Sequence, residues 1–149
     1  MRVYADTSVY GGTFDTEFAA ASTKFFEEVR IGRFQLVIGA PVRDEIDGAP
    51  PQVRSLFDAI APLAAQADIS AETLDLRNAY LEAEVVGEAS TIDATHVALA
   101  TLSNCQLLVS WNFKHIVHRD KAPRYNAVNT LRGLPTIGIY SPAEVVRYG

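Results

Sequence analysis

Three acidic residues stand where chemistry is possible in this sequence. Asp6 ends the apolar run RVYA, Glu45 lies in PVRDEID after the run FQLVIG, and Asp93 lies in STID ahead of the run QLLVS. In open parallel sheets, ligands bind in the crevice outside the carboxyl ends of the strands. Carboxylates that converge in such a crevice repel one another unless a cation is present. The sequence therefore predicts a cation site formed by these three acids.

The chemistry of the available ligands favours a hard divalent ion. Mg²⁺ and Mn²⁺ prefer oxygen ligands, and Asn112, in the loop after QLLVS, adds an amide oxygen to the three carboxylates. A zinc site is disfavoured, because the chain has one Cys and three scattered His residues instead of a set at zinc-binding spacing. We therefore expect Mg²⁺ or Mn²⁺ as the cofactor, with the ligands Asp6, Glu45, Asp93 and Asn112.

Each acid also has a purely structural interpretation. Asp6 can bond the backbone amides of the turn that follows it, a common use of Asp. Asp93 stands three residues after Ser90, which is the spacing of a capping box and the favoured interpretation of that stretch alone. Glu45 has acidic neighbours and fits a solvated helix face. Only the order and the common placement of the three acids favour a site.

Short apolar runs alternate with helical stretches along the chain. The runs that predict strands are RVYA, FQLVIG, QLLVS and TIGIY. The stretches that predict helices are residues 18–31, 41–47, 52–60, 70–86 and 90–102. Such alternation is typical of a parallel sheet with helices on both faces, so we expect an α/β fold.

Length and composition bound the class of protein. The 149 residues fit one domain, residues 1–149, and a hydrophobic content of 48% suffices for a core. The single cysteine, Cys105, cannot form an internal disulfide, which suits a reducing cytoplasm. No apolar run approaches the roughly 18 residues of a membrane span, and the first residues show no secretory pattern. We expect a soluble, cytoplasmic protein.

The net charge of −5 argues against a general nucleic-acid coat protein, but the charge is unevenly distributed. From Trp111 onward the chain has six Lys or Arg residues and two acids, a balance of +4, and the other 110 residues sum to −9. One part of the molecule can therefore meet phosphates while another concentrates carboxylates. A solvated basic surface is the alternative for the basic part.

Four segments together resemble the PIN-domain family of metal-dependent nucleases, which includes the VapC toxins of bacterial toxin–antitoxin pairs. The segments are VYADTSV, PVRDEI, TIDATHVALAT and LLVSWNFKHIV, and in this order they span almost the whole chain. The resemblance implies a single PIN-like domain built as a three-layer α/β/α sandwich with a short parallel central sheet. It also implies an acidic pocket that binds Mg²⁺ or Mn²⁺.

The same resemblance assigns residues to the pocket. The family's acidic ligands match Asp6, Glu45 and Asp93, and its hydroxyl near the first acid matches Thr7 or Ser8. The chain departs from the family at Asn112, because many members have an Asp in that loop. An amide brings no charge, so a second metal ion would be held more weakly.

The function implied by the resemblance is hydrolysis of an RNA phosphodiester bond by a metal-activated water. Asp6 and Asp93 would ligate the ion, and Glu45 would be a ligand or a base that orients the water. Residues expected to support these ligands are Thr7, Ser8 and Ser110. Residues expected to contact RNA phosphates are Lys114, His115 and Arg119.

The implied partners follow from the toxin-like role. A toxin would pair with a small antitoxin protein, and the apolar helical block of residues 52–86 predicts a homodimer. The alternative function is a catalytically weak PIN-fold module that binds RNA or protein, because Asn112 lacks the charge of an acid.

Three neighbours of the acids have open interpretations. His96 lies three residues after Asp93 and shares its helix face, so it can reach the pocket, although a packed or hydrogen-bonded histidine is favoured. Trp111 and Phe113 are expected in the core or at the rim, with stacking on a nucleobase as the alternative. The stretch FKHIV is expected to form a short helix.

Overall fold

The computed structural model describes residues 1–147 and contains five parallel strands in one sheet. The strands are β1 Arg2–Ala5, β2 Gln35–Gly39, β3 Ala65–Ala67, β4 Leu107–Val109 and β5 Gly138–Tyr140. Their order is β3-β2-β1-β4-β5, which places the first strand of the chain in the middle of the sheet. Tyr4 of β1 pairs with Val37 of β2 and Leu108 of β4, so the carboxyl ends of these three strands lie side by side.

Helices flank the sheet. They are α1 Thr7–Gly12, α2 Ala19–Arg30, α3 Ala40–Asp47, α4 Pro51–Ile60, α5 Ala71–Glu82, α6 Thr91–Leu102, α7 Lys121–Leu131 and α8 Pro142–Val145, with 3₁₀ turns at Ala61–Leu63 and Glu88–Ser90. Helix α5 packs against α6 and α7, whereas α2 packs against α1 and α8. The architecture is the predicted α/β/α sandwich. None of the helices within residues 1–147 has the length and apolar character needed to cross a membrane.

Local sequence explains the placement of the elements that carry the acids. The core of β1 is completely buried from Val3 to Ala5, as expected for a strand covered on both faces. Pro41 lies in the first turn of α3, where its missing N–H costs no hydrogen bond. Helix α5 begins at a capping box in which Ser70 and Thr73 exchange hydrogen bonds.

Two elements differ from the sequence-based expectation. Strand β3 was not predicted, because its short AQA sequence is mostly exposed and pairs only with β2 at the edge of the sheet. The helix expected over residues 70–86 ends at Glu82, and Glu84 then takes the left-handed conformation with φ of 57°. A left-handed residue cannot continue a right-handed helix, so the chain turns there.

A buried carboxylate fixes the C-terminal segment to the sandwich. Glu28 on α2 is 2% exposed and accepts a hydrogen bond from Arg33 at 2.5 Å and one from the backbone N–H of Arg147 at 2.9 Å. Arg33 also donates to the carbonyl of Val145 at the end of α8, at 2.8 Å. Glu28 and Arg33 together therefore join the end of α2 to the C-terminal segment, which is more than 100 residues away in sequence.

We expect the substitution Glu28→Ala to lower the free energy of unfolding by about 2 kcal/mol, because it leaves the half-buried Arg33 and a backbone N–H without their partner. Urea denaturation measures the change. The matched control is Glu27→Ala on the same helix, whose exposed ion pair with Lys24 spans 3.9 Å and whose loss should cost less than about 0.5 kcal/mol. Equal losses in the two variants would contradict this account of Glu28.

Candidate active site

The fold brings all the predicted acids to the carboxyl edge of the three central strands. Asp6 directly follows β1, and Glu45 lies on α3, which directly follows β2. Asp93 lies in the first turn of α6, which precedes β4, and Asn112 lies in the loop after β4. The edge at which parallel sheets bind ligands is therefore lined by carboxylates.

Asp6 is the most deeply buried of the three acids predicted to form the site, with 5% of its surface exposed. Its carboxylate accepts hydrogen bonds from the hydroxyl of Ser8 at 2.5 Å and from that of Ser110 at 2.8 Å. It makes no capping bond to the backbone of α1, so the interpretation of Asp6 as a turn residue is wrong. Burial raises the pKa of Asp6, and the hydroxyl donors and the nearby His96 offset this effect only in part.

Glu45 is held by a chain of hydrogen bonds that begins inside the sheet. The fully buried Tyr4 hydroxyl lies 2.7 Å from Nδ1 of His96, and Nε2 of His96 lies 3.0 Å from Oε1 of Glu45. The bond to His96 lowers the pKa of Glu45, so its carboxylate can only accept and Nε2 of His96 carries the proton. In the neutral imidazole, Nδ1 then accepts a hydrogen bond from the Tyr4 hydroxyl.

Gly39 makes room for this chain. A Cβ atom at Gly39, the last residue of β2, would collide with the hydroxyl end of Tyr4. The Tyr4 side chain therefore reaches His96 only because the neighbouring strand ends in glycine. His96 is both hydrogen-bonded and part of the acidic crevice, so the two interpretations offered for it are compatible.

Asp93 is turned toward the loop after β4. Its Oδ1 accepts a hydrogen bond from Nδ2 of Asn112 at 3.1 Å. The capping box expected at Ser90 is wrong, because the Ser90 side chain makes no cap bond. A 3₁₀ turn runs directly into α6 there, so Ser90 does not take the extended conformation of an N-cap (φ −108°, ψ 26°). Burial raises the pKa of Asp93, opposed mainly by His115.

Asn112 organises the loop that carries the basic residues. Its Oδ1 accepts from the backbone N–H groups of Lys114 and His115, at 3.2 and 2.9 Å. This bonding makes a turn of residues 113–117, so the short helix expected for FKHIV is wrong. Both lone pairs of the amide oxygen are used, and this conformation therefore does not offer Asn112 to a cation as the predicted ligand.

The donor types fit a hard divalent cation. Besides burial, the charge of Glu45 helps to raise the pKa of both Asp6 and Asp93, and within residues 1–147 no Lys or Arg forms an ion pair with any of the three. The Thr7 hydroxyl is buried without a hydrogen-bond partner, although it approaches Glu45 closely enough to lower its pKa. The carboxylates are not drawn together to ligand distances, since no group of three acidic, His or Cys side chains in residues 1–147 is close enough to hold a metal.

Of the remaining predicted residues, Ser8, Ser110 and His115 lie at this crevice, whereas no contact joins the side chain of Lys114 or Arg119 to its acids within residues 1–147. Ser8 and Ser110 bond Asp6, as expected for residues that support it, and Ser8 also accepts from the backbone of Trp111 at 2.9 Å. His115 lies near Asp93 and accepts from the Lys121 ammonium at 3.3 Å. The side chains exposed to solvent are Lys114 and Arg119.

Tyr4 is the site residue that sequence reasoning missed. A strand places residues i and i+2 on one face, so Tyr4 had to share the face of Asp6. That alternation, together with a glycine at the end of the neighbouring strand, is the signal that could have identified it.

The buried charge of Asp6 gives a pH-dependent prediction. Folding raises the pKa of this carboxyl, so the folded state binds its proton more tightly than the unfolded chain does. The free energy of unfolding therefore falls as the pH rises through the pKa of the folded state, where that proton is lost. In EDTA, Asp6→Asn should raise the melting temperature by about 2–4 °C at neutral pH and by little near pH ~4. The exposed control Asp44→Asn should show no such trend. A pH-independent difference for Asp6→Asn would contradict the assignment.

The hydrogen bond from Tyr4 gives a second prediction. Tyr4→Phe leaves the buried Nδ1 of His96 without a donor, and the free energy of unfolding should fall by about 1–2 kcal/mol. The ¹⁵N chemical shift of Nδ1 should move at the same time. Tyr80→Phe is the matched control, because the buried Tyr80 hydroxyl donates to Asn129 at 2.6 Å and forms no hydrogen bond with His96. It should reduce stability similarly without moving the His96 signals, and an unchanged His96 spectrum in Tyr4→Phe would refute the bond.

Comparisons with known proteins agree with the fold. No protein-family model and no curated protein sequence matches the chain. Among solved structures, it is similar to a chain of the VapBC2 complex from Rickettsia felis, crystallised bound to a DNA fragment from their promoter. The TM-score is 0.59 at 14% sequence identity, and the match covers 95% of this chain and 98% of that chain. The protein thus has the PIN-like α/β fold that its sequence motifs predicted.

Proposed function

We propose that this protein is a metal-dependent endoribonuclease, a hydrolase of RNA phosphodiester bonds. The observation that carries the proposal is the buried Asp6 carboxylate at the carboxyl edge of the sheet, with which no Lys or Arg of residues 1–147 forms an ion pair and which has Glu45 and Asp93 beside it. Burying a carboxylate without a counter-charge is costly. A site that retains such a group is typical of one that binds a cation.

Asp6 and Asp93 are the residues proposed to hold the ion, with Glu45 as a ligand or as the base that orients water. A bound Mg²⁺ or Mn²⁺ lowers the pKa of its water and stabilises charge on the phosphoryl oxygens. His96 fixes one oxygen of Glu45 and leaves the other for the crevice. Ser8 and Ser110 hold the two oxygens of Asp6 in one orientation.

Lys114, His115 and Arg119 are proposed to receive the phosphates of RNA. The two backbone bonds to Asn112 fix the start of this basic segment next to Asp93. Phosphate contacts of this kind supply affinity without sequence selection.

The partners proposed are a small antitoxin and a second copy of the chain. One solved structure with a similar fold is a VapBC2 complex, which supports a role in a toxin–antitoxin pair. We place that role in the cytoplasm, where the buried free thiol of Cys105 is stable.

Cleavage of RNA by the purified protein tests the proposal. Structured and single-stranded RNA should be cleaved with Mn²⁺ or Mg²⁺ and remain intact in EDTA. Asp6→Asn and Asp93→Asn should each reduce the rate by at least about 100-fold, whereas Asp44→Asn should retain it. Mn²⁺ should also raise the melting temperature of the native protein and not that of Asp6→Asn. Equal cleavage in EDTA would exclude the mechanism.

A catalytically weak binding module is the second candidate, favoured by the neutral Asn112. Under this function the protein binds RNA with the same affinity in Mn²⁺ and in EDTA and does not cleave it. Restoring an acid with Asn112→Asp separates the two functions, because only a nuclease limited by the missing charge would gain rate.

A further inference from the structure

An aromatic cluster at the rim of the site is not used by the metal chemistry. The rings of Phe18 and Trp111 are stacked with centroids 4.2 Å apart and planes inclined by 19°, and Phe113 meets Trp111 edge-on at 6.1 Å. Trp111 and Phe18 are partly buried, whereas Phe113 is 48% exposed. The cluster therefore ends in one ring that is open to solvent.

The cluster is tied to the acidic crevice by specific contacts. The backbone N–H of Trp111 donates to the same Ser8 hydroxyl that donates to Asp6, and the indole N–H donates to Ser22 at 2.8 Å. A Cβ atom at Gly12 would lie 2.6 Å from the indole nitrogen, so this residue must be small for Trp111 to fit. Phe113 itself directly follows Asn112, whose side chain bonds Asp93.

These contacts fix Trp111, and the exposed ring of Phe113 packs edge-on against it, one residue after the Asn112 side chain that bonds Asp93. We infer that Phe113, supported by Trp111 and Phe18, is a stacking site for an unpaired nucleobase of RNA adjacent to the bond that is cut. Stacking on aromatic side chains contributes about 1–3 kcal/mol per base and requires a base that is free of its own helix. The basic Lys114 directly follows Phe113 and is exposed to solvent, so a phosphate of the bound strand can reach it.

The inference deepens the proposed function, because it names single-stranded segments as the substrate of the same site. A duplex cannot present a base to Phe113 without unpairing it, which costs a few kcal/mol. We therefore expect cleavage in loops and single strands in preference to helices.

The test uses Trp111, the one tryptophan of the chain, as the reporter. The probe is a short single-stranded oligoribonucleotide in EDTA. The comparison is an abasic ribose-phosphate oligomer of equal length, which has the same phosphates and no bases. The oligoribonucleotide should change the Trp111 emission and bind at least about tenfold more tightly than the abasic oligomer. Phe113→Ala should weaken binding about tenfold, and Phe113→Tyr should restore it. Leu131→Ala, at a residue that is 87% exposed and outside the site, is the control and should bind normally.

The outcomes separate this inference from the proposed function. Equal affinity of Phe113→Ala and the native protein, or equal binding of the abasic oligomer, would overturn the stacking site even if RNA is cleaved in Mn²⁺. Binding that depends on Phe113 without any cleavage in Mn²⁺ would support the stacking site and overturn the proposed hydrolysis. A higher KM for Phe113→Ala at unchanged kcat is the result expected when both are correct.

Discussion

The carboxylate of Asp6 is buried at the centre of the sheet edge, where no Lys or Arg of the described residues pairs with it, and the rest of the site is arranged around it. Its two hydrogen bonds come from neutral hydroxyls, which orient the carboxylate and do not neutralise it. In a low-dielectric setting such a charge costs several kcal/mol. Val3, Tyr4 and Ala5, the residues of β1 that precede Asp6, are completely buried, and the free energy gained by burying them offsets that cost. A bound cation would offset that cost, which is the physical basis of the proposed function.

The position of β1 in the sheet explains why the other residues converge on Asp6. A central parallel strand has neighbours on both sides, so the carboxyl ends of β2 and β4 necessarily flank that of β1. The helix after β2 then brings Glu45, and the loop after β4 brings Ser110 and Asn112. Because side chains alternate along a strand, Tyr4 emerges on the same face as Asp6, and its hydroxyl extends the polar network down into the sheet through His96.

Much of this arrangement could be predicted from the sequence, for reasons that differ between residues. The apolar runs before Asp6 and Ser110 are strong strand signals, and the parallel α/β pattern placed the acids at one edge. Strand β3 gave no signal, since three exposed residues have no hydrophobic periodicity. The turn at 113–117 could not be predicted from FKHIV, because a side chain outside that stretch, Asn112, imposes it. The two hydrogen bonds from backbone N–H groups to the Asn112 side chain compete with the bonds of a helix and favour the turn.

Asn112 can donate a hydrogen bond to Asp93, which an ionised acid at this position could not do. The missing charge is therefore accompanied by a structural role. A carboxylate at this position would repel Asp93 until a cation arrived. The amide instead donates to Asp93 and, through its oxygen, accepts from the two backbone N–H groups that shape the basic turn. An Asp cannot do both, because its ionised side chain has no donor. The neutral residue therefore orients one acid of the site and the basic turn without a metal ion, and in the proposed function the attraction for a cation comes from Asp6, Glu45 and Asp93.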